Sequence, residues 1–152
     1  MSNFSVIIGD ITVRNNIFIP LDKTKKTPKI NFDRYPNEEY TIIAVDPDAP
    51  SRKNPIYKYW LHLLIINNNQ KVIPYESPTP PKGSGNHRYI FYLLKQQDTI
   101  DKNKLVITNK ISQTVSNIKI SDIERNNFNF GEFIQNNNLK IVDSVYFETE
   151  KI

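Results

Sequence analysis

Thr41–Asn67 reads TIIAVDPDAPSRKNPIYKYWLHLLIIN, and this stretch decides the fold. An apolar run from Thr41 to Val45 enters a turn dense in aspartate and proline. A second apolar run, Tyr59 to Ile66, leaves it. Both runs are apolar at odd and even positions alike, the pattern of strands buried on two faces. Prolines at 47 and 50 fix φ and remove two amide donors, so the segment between the runs is a rigid turn. Period-two alternation places Trp60, His62 and Leu64 on one strand face, and Leu61 and Leu63 on the other. On its own the DPDAP turn reads as aspartates capping nearby amides, and His62 as a satisfied core histidine.

Downstream lies a long loop, Tyr75 to Asn86, which carries Pro78, Pro80, Pro81, Gly83 and Gly85. It feeds directly into another apolar run with His87, Tyr89, Phe91 and Leu93 on one face. A loop this long in a small domain is usually functional or disordered, and proline stiffness argues against disorder. Both histidines of the chain therefore stand at strand ends beside proline-rich loops. If the strands are neighbours, Asp46, His62 and His87 converge on a small polar pocket walled by Trp60 and Tyr89. Such a pocket offers imidazole and backbone donors to an anion, with an aspartate to orient a histidine or accept from an ammonium or hydroxyl.

Shorter runs complete the expectation. Phe4–Ile8, Ile17–Ile19, Lys71–Pro74, Leu105–Thr108 and Lys140–Glu148 read as strands, the last with Ile141, Val145 and Phe147 on one face. Asn129 is placed to cap a short helix that presents Phe130, Phe133 and Ile134 on one side. Ser121-Asp122-Ile123-Glu124 has the spacing of a capping box. The asparagine runs at 67–69 and 136–138 fall where elements should end. The strands do not alternate with long helices, so a parallel βαβ sheet is not expected.

Composition narrows the function classes. The 152 residues contain no cysteine, which removes disulfide and thiolate chemistry. The length predicts a single domain over 1–152. Net charge is +4 with a pI near 9.2 and a mean hydropathy of −0.52. The basic cluster Lys23, Lys25, Lys26 and Lys29 has no interleaved aromatics, so it reads as a solvated loop and no nucleic-acid partner is expected. No apolar run approaches the ~18 residues of a membrane span. The first residues lack a basic, then apolar, leader pattern. The expected location is cytoplasmic, and no cofactor is expected.

These residues carry a resemblance. The block Asp46–Arg52 followed by Trp60 and His62, and the proline loop closing on Gly85-x-His87-Arg88-Tyr89, resemble the two central motifs of the phosphatidylethanolamine-binding proteins. That family includes the Raf kinase inhibitor protein and the plant flowering-time regulators. Weaker similarity reaches Gly9-Asp10, Thr27–Ile30 and Phe130–Phe147. The resemblance implies a mainly β fold: a large central antiparallel sheet, a smaller second sheet and a few short helices. It implies a pocket for phosphate or a phosphorylated head group such as phosphoethanolamine. Asp46, His62, His87 and Tyr89 would line that pocket. Trp60, Tyr57, Pro50 and Pro80 would shape it, and the Ala49-Pro50 bond would be cis. Asp48 and Arg88 are expected to be structural, with Arg88 on the strand face opposite His87.

Departures qualify the carry-over. Many relatives have Gly-Ser-Gly where this chain has Ser77-Pro78-Thr79, so anion contact at the rim is expected to rest on Thr79. The lid helix of animal members has no counterpart before Ile152, and an uncovered pocket is expected. The favoured function is a non-enzymatic binding module that modulates a kinase or another signalling protein. The rivals are a protease inhibitor or interaction protein with a vestigial pocket, a hydrolase using Ser84, and a metal enzyme using Asp46, His62 and His87.

Overall fold

A computed structural model describes residues 3–108, 113–115 and 125–152. The expected capping box at Ser121–Glu124 lies outside the described residues. The strands are β1 (Ser5–Ile8), β2 (Ile11–Thr12), β3 (Ile17–Phe18), β4 (Lys29–Asn31), β5 (Tyr40–Asp46), β6 (Trp60–Ile66), β7 (Gln70–Ile73), β8 (His87–Gln96), β9 (Val106–Thr108), β10 (Gln113–Val115) and β11 (Leu139–Thr149). Among the described residues one α-helix, α1 (Phe130–Asn136), joins them, with short 3-10 turns at Leu21–Lys23 and Lys102–Lys104.

Six strands form the main sheet in the order β3-β11-β8-β5-β6-β7. All neighbours are antiparallel except β3, whose two residues run parallel to β11. The three-stranded sheet β2-β1-β4 covers one face, and β9 pairs with β10 separately. Every residue of β5 is buried, as its two-sided apolar pattern requires of a central strand. Tyr40, Ile42 and Ala44 pack toward Val6 and Ile8 of the small sheet. Ile43 and Val45 pack the other way, with Phe128, Phe130 and Phe133.

Local rules account for the element ends. The Asn129 side chain accepts from the Glu132 amide at 3.2 Å and caps α1, whose Phe130 and Phe133 are buried. Asn67, Asn68 and Asn138 adopt positive φ at the turns that follow β6 and α1, a conformation asparagine tolerates better than most residues.

Two sequence expectations about faces fail, both for one reason. A bulge in the β5–β6 ladder leaves His62 as the extra residue, between Leu61 opposite Val45 and Leu63 opposite Ala44. Leu64 therefore packs in the helix-side core with Leu61, not on the face of Trp60 and His62, and Leu63 joins the opposite core. A second bulge at Val142 separates Ile141, opposite Leu94, from Asp143, opposite Leu93. Ile141 is consequently exposed on the other face from Val145 and Phe147. One inserted residue reverses every side chain beyond it.

Candidate functional site

Antiparallel order brings three strand ends to one place. The C-terminal end of β5 delivers Asp46, the N-terminal end of β6 delivers Trp60 and His62, and the N-terminal end of β8 delivers His87 and Tyr89. Together they line a cavity of about 130 Å³. Ala49, Pro50 and Tyr57 close it from the aspartate-proline turn, and Thr79, Pro80 and Pro81 from the long loop. The Ala49-Pro50 peptide is cis. Every residue expected at the pocket lines it. Ala49, expected only as structural support, lines it too, as does Pro81, which the sequence reading did not single out.

Asp46 is nearly inaccessible and well partnered. Its Oδ1 accepts from the Asp48 amide at 2.7 Å, and its Oδ2 lies 2.8 Å from His87 Nδ1. His87 is 1% exposed, and its Nε2 lies 2.9 Å from Ser84 Oγ. Serine, histidine and aspartate in that order are the groups of a nucleophilic relay. Ser84 Oγ is also 2.7 Å from the Pro81 carbonyl, an acceptor that competes with His87 Nε2 for the single hydroxyl proton. Both ring nitrogens of His87 thus have a polar group within hydrogen-bond distance.

His62 is held differently. Its Nδ1 donates to the Glu76 carbonyl at 2.5 Å, and the Glu76 amide donates back to the His62 carbonyl at 2.9 Å. That leaves Nε2 as the free ring nitrogen. Burial lowers the His62 pKa, and this outweighs the Glu76 carbonyl bond and the charges of Asp46 and Glu76, which act to raise it. The Tyr89 phenol is pushed far up, by burial first and then by the charge of Asp46. Rings stack through this floor: His62 lies edge-on to Tyr89 at 5.2 Å, and Tyr89 stacks on Phe147 at 5.2 Å. Tyr57 meets Trp60 edge-on at 6.4 Å at the wall.

The lowered His62 pKa has a stability consequence. The native state holds His62 neutral at pH values where the unfolded chain would protonate it. Its contribution is therefore fully present above the ordinary value of 6.5 and is lost as pH falls through the lower folded value. The urea midpoint is expected to drop between about pH 7.5 and 5.5, and to drop less in His62→Gln. Equal drops in the two proteins would refute this assignment.

The remaining supports were only partly visible in sequence. Asp48 accepts from Arg88 Nη2 at 2.8 Å and from Arg88 Nε and the Arg88 amide, each at 2.9 Å. Arg52 Nε reaches the same carboxylate at 3.3 Å. Glu76 and Arg125 carry functions that sequence reasoning missed. Glu76 accepts from Trp60 Nε1 at 2.8 Å. Arg125 donates to the carbonyls of Leu61 at 3.0 Å and Pro74 at 3.1 Å, and pairs with Glu76 at 3.4 Å. The lysine cluster is also tied in: Lys25 Nζ lies 3.4 Å from the Pro78 carbonyl, and the Tyr75 hydroxyl donates to the Thr24 carbonyl at 2.8 Å. Among the described residues no three His, Asp or Glu side chains are grouped as metal ligands.

This fold and these motif positions define a family. The model of the phosphatidylethanolamine-binding proteins matches residues 10–146, and the chain belongs to that family. It is 48% identical over 152 residues to a phosphatidylethanolamine-binding protein homolog of Acanthamoeba polyphaga mimivirus, spanning 99% of this chain and 100% of that one. A putative odorant-binding protein A5 of Drosophila melanogaster is 35% identical over 94 residues, covering 56% of this chain and 45% of the relative. Among solved structures, carboxypeptidase Y inhibitor in complex with its cognate proteinase superposes with a TM-score of 0.77 at 24% identity, over 99% of this chain and 84% of the inhibitor. The phosphatidylethanolamine-binding protein of Plasmodium vivax gives 0.75 at 20% identity, over 100% and 86%.

Proposed function

We propose that this protein is a non-enzymatic binding module whose pocket takes phosphate or a small phosphorylated head group such as phosphoethanolamine. The observation that carries the reading is the meeting of Asp46, His62, His87 and Tyr89 in one cavity of about 130 Å³ under aromatic and proline walls. Family membership supports it. No helix among the described residues is long and apolar enough to cross a membrane, and the module acts in the cytoplasm. Binding would modulate a protein partner, a kinase or another signalling protein. Ile56 and Tyr57, 57% and 39% exposed beside the mouth, give such a partner an apolar handle.

The test is calorimetry with phosphoethanolamine on the wild type and on Asp46→Leu and His87→Leu. Each variant is expected to lose roughly 2–5 kcal/mol of binding, the cost of truncating a buried charged partner, with an unchanged β-sheet spectrum. Full affinity in both variants would sink the pocket assignment. Retained partner capture by these variants would point instead to an interaction surface independent of the pocket.

A further inference from the structure

A second cavity, of about 210 Å³, lies further along β6 and shares no lining residue with the first. It forms where the covering sheet stops short of the sheet beneath it. The three-stranded sheet ends at β4, while the main sheet runs on through β6 to β7. Ile30 and Phe32, on and just after β4, and Ile65 of β6 are accordingly only partly buried, at the fringe of the core that holds Leu63. These four side chains give the cavity apolar walls. Its charged rim is of one sign. Arg34, just after β4, and Lys71 of β7 line it, and no Asp or Glu among the described residues does. Lys71 stands opposite Ile65 in the β6–β7 ladder, so the two share a face. Arg34 lies over the Phe32 ring, 5.0 Å from its centroid, a contact that orders the guanidinium without giving its N–H fork a carboxylate. Asp33, its neighbour in sequence, accepts instead from Asn3 Nδ2 at 2.7 Å. Among the described residues neither Arg34 nor Lys71 is ion-paired.

Apolar walls give a small inorganic anion nothing in exchange for its water, and a cationic rim adds nothing for a neutral hydrocarbon. Together they fit a molecule that has both parts. We propose that this cavity binds a monocarboxylate with an apolar tail. The carboxylate sits at the rim with Arg34 and Lys71, and the tail lies against Ile30, Phe32, Leu63 and Ile65. Arginine supplies a planar pair of donors that matches the two oxygens of a carboxylate, and lysine a second positive charge. Leaving the tail in the cavity removes its surface and the exposed edges of Ile30, Phe32 and Ile65 from water. Size sets the tail length. A dry apolar cavity of roughly 150 Å³ takes a benzene ring, so this one holds about seven or eight carbon atoms. A medium-chain fatty acid has that shape. The site stands apart from the Asp46 pocket and does not depend on what that pocket binds.

The experiment follows amide NMR shifts of the full chain during titration with octanoate, octanol and octylamine. Octanoate is expected to move the amides of Ile30, Phe32, Leu63, Ile65 and Lys71 and to leave those of Asp46 and His87 in place. It should bind about three- to tenfold tighter than octanol, the size expected of two exposed ion pairs, and octylamine should bind weaker than either. The preference for octanoate should fade at about 1 M salt, where the Debye length is only ~3 Å. Arg34 and Lys71 are both exposed, so the double variant Arg34→Gln/Lys71→Gln should keep the wild-type fold, checked by its amide spectrum, and lose the advantage of octanoate over octanol. Phosphoethanolamine added to the octanoate complex should not displace octanoate, so failure at one site is read separately from failure at the other. Octanol or octylamine binding as tightly as octanoate overturns the proposal. So do octanoate shifts centred on Asp46 and His87, an advantage over octanol that survives the double substitution, or no shift with any of the three.

Discussion

Replacing Phe147 with alanine is expected to cost about 3–5 kcal/mol of stability, the range for truncating a fully buried phenylalanine. Phe147 is 0% exposed and sits where β11 crosses Tyr89 of β8. Its ring stacks on Tyr89 at 5.2 Å and lies 6.4 Å from Phe91. No exposed face allows the chain to close over the gap, so the cavity stays open and the neighbouring rings lose their contacts. The functional effect follows from the same stack. Tyr89 meets His62 edge-on at 5.2 Å, so loosening Phe147 loosens the pocket floor. Urea denaturation measures the first effect, and calorimetry with phosphate the second. A stability loss under ~1 kcal/mol would show that the site relaxes far more than its burial implies.

The second large effect is expected at Asp48. Its carboxylate is 2% exposed and gathers the Arg88 guanidinium, the Arg88 amide and Arg52. Arg88 and Arg52 are themselves 40% and 48% exposed, so they regain water once released, and the loss stays below that of a wholly buried pair. Asp48→Asn is expected to cost about 2–3 kcal/mol, the scale of charge-assisted hydrogen bonds. Burial alone would raise the Asp48 pKa, but hydrogen bonds and charge from Arg88, helped by Arg52, hold it below the ordinary 3.8. A carboxylate with a lowered folded pKa stabilises above its unfolded value and loses that contribution as pH falls through the folded one. The gap between wild type and Asp48→Asn should therefore be full at neutral pH and shrink below about pH 4. Urea midpoints across that range check it. A gap that persists undiminished well below the folded pKa would mean the cost is steric. Asp48 also immediately precedes Ala49-Pro50, so the variant should weaken phosphate binding more than Arg88→Met does.

The strands were readable because β5 and β6 carry apolar residues at both odd and even positions, a pattern that suits a doubly covered sheet. The helix was readable because Asn129 caps it and Phe130 and Phe133 recur at helical spacing. The pocket residues were readable because charged and aromatic groups stood at strand ends beside proline loops, where side chains are free of ladder packing. Ser84 was weighed as a nucleophile for want of a nearer serine, and its contact with the Pro81 carbonyl arises only from the folded loop.

The sequence by itself determined which segments are strands and which side chains stand at their ends beside proline loops, because hydrophobic periodicity and turn chemistry are local properties of the chain; which strands pair came from the fold. Tertiary structure alone decided the faces beyond His62 and Val142. A bulge is a mismatch between two strands and leaves no mark on either one taken singly. Tertiary structure also decided the hydrogen-bonding character of the pocket. Which nitrogen of His62 meets the Glu76 carbonyl, and which groups flank His87, depend on partners supplied from separate strands and loops. Those partners exist only once the ladders are closed.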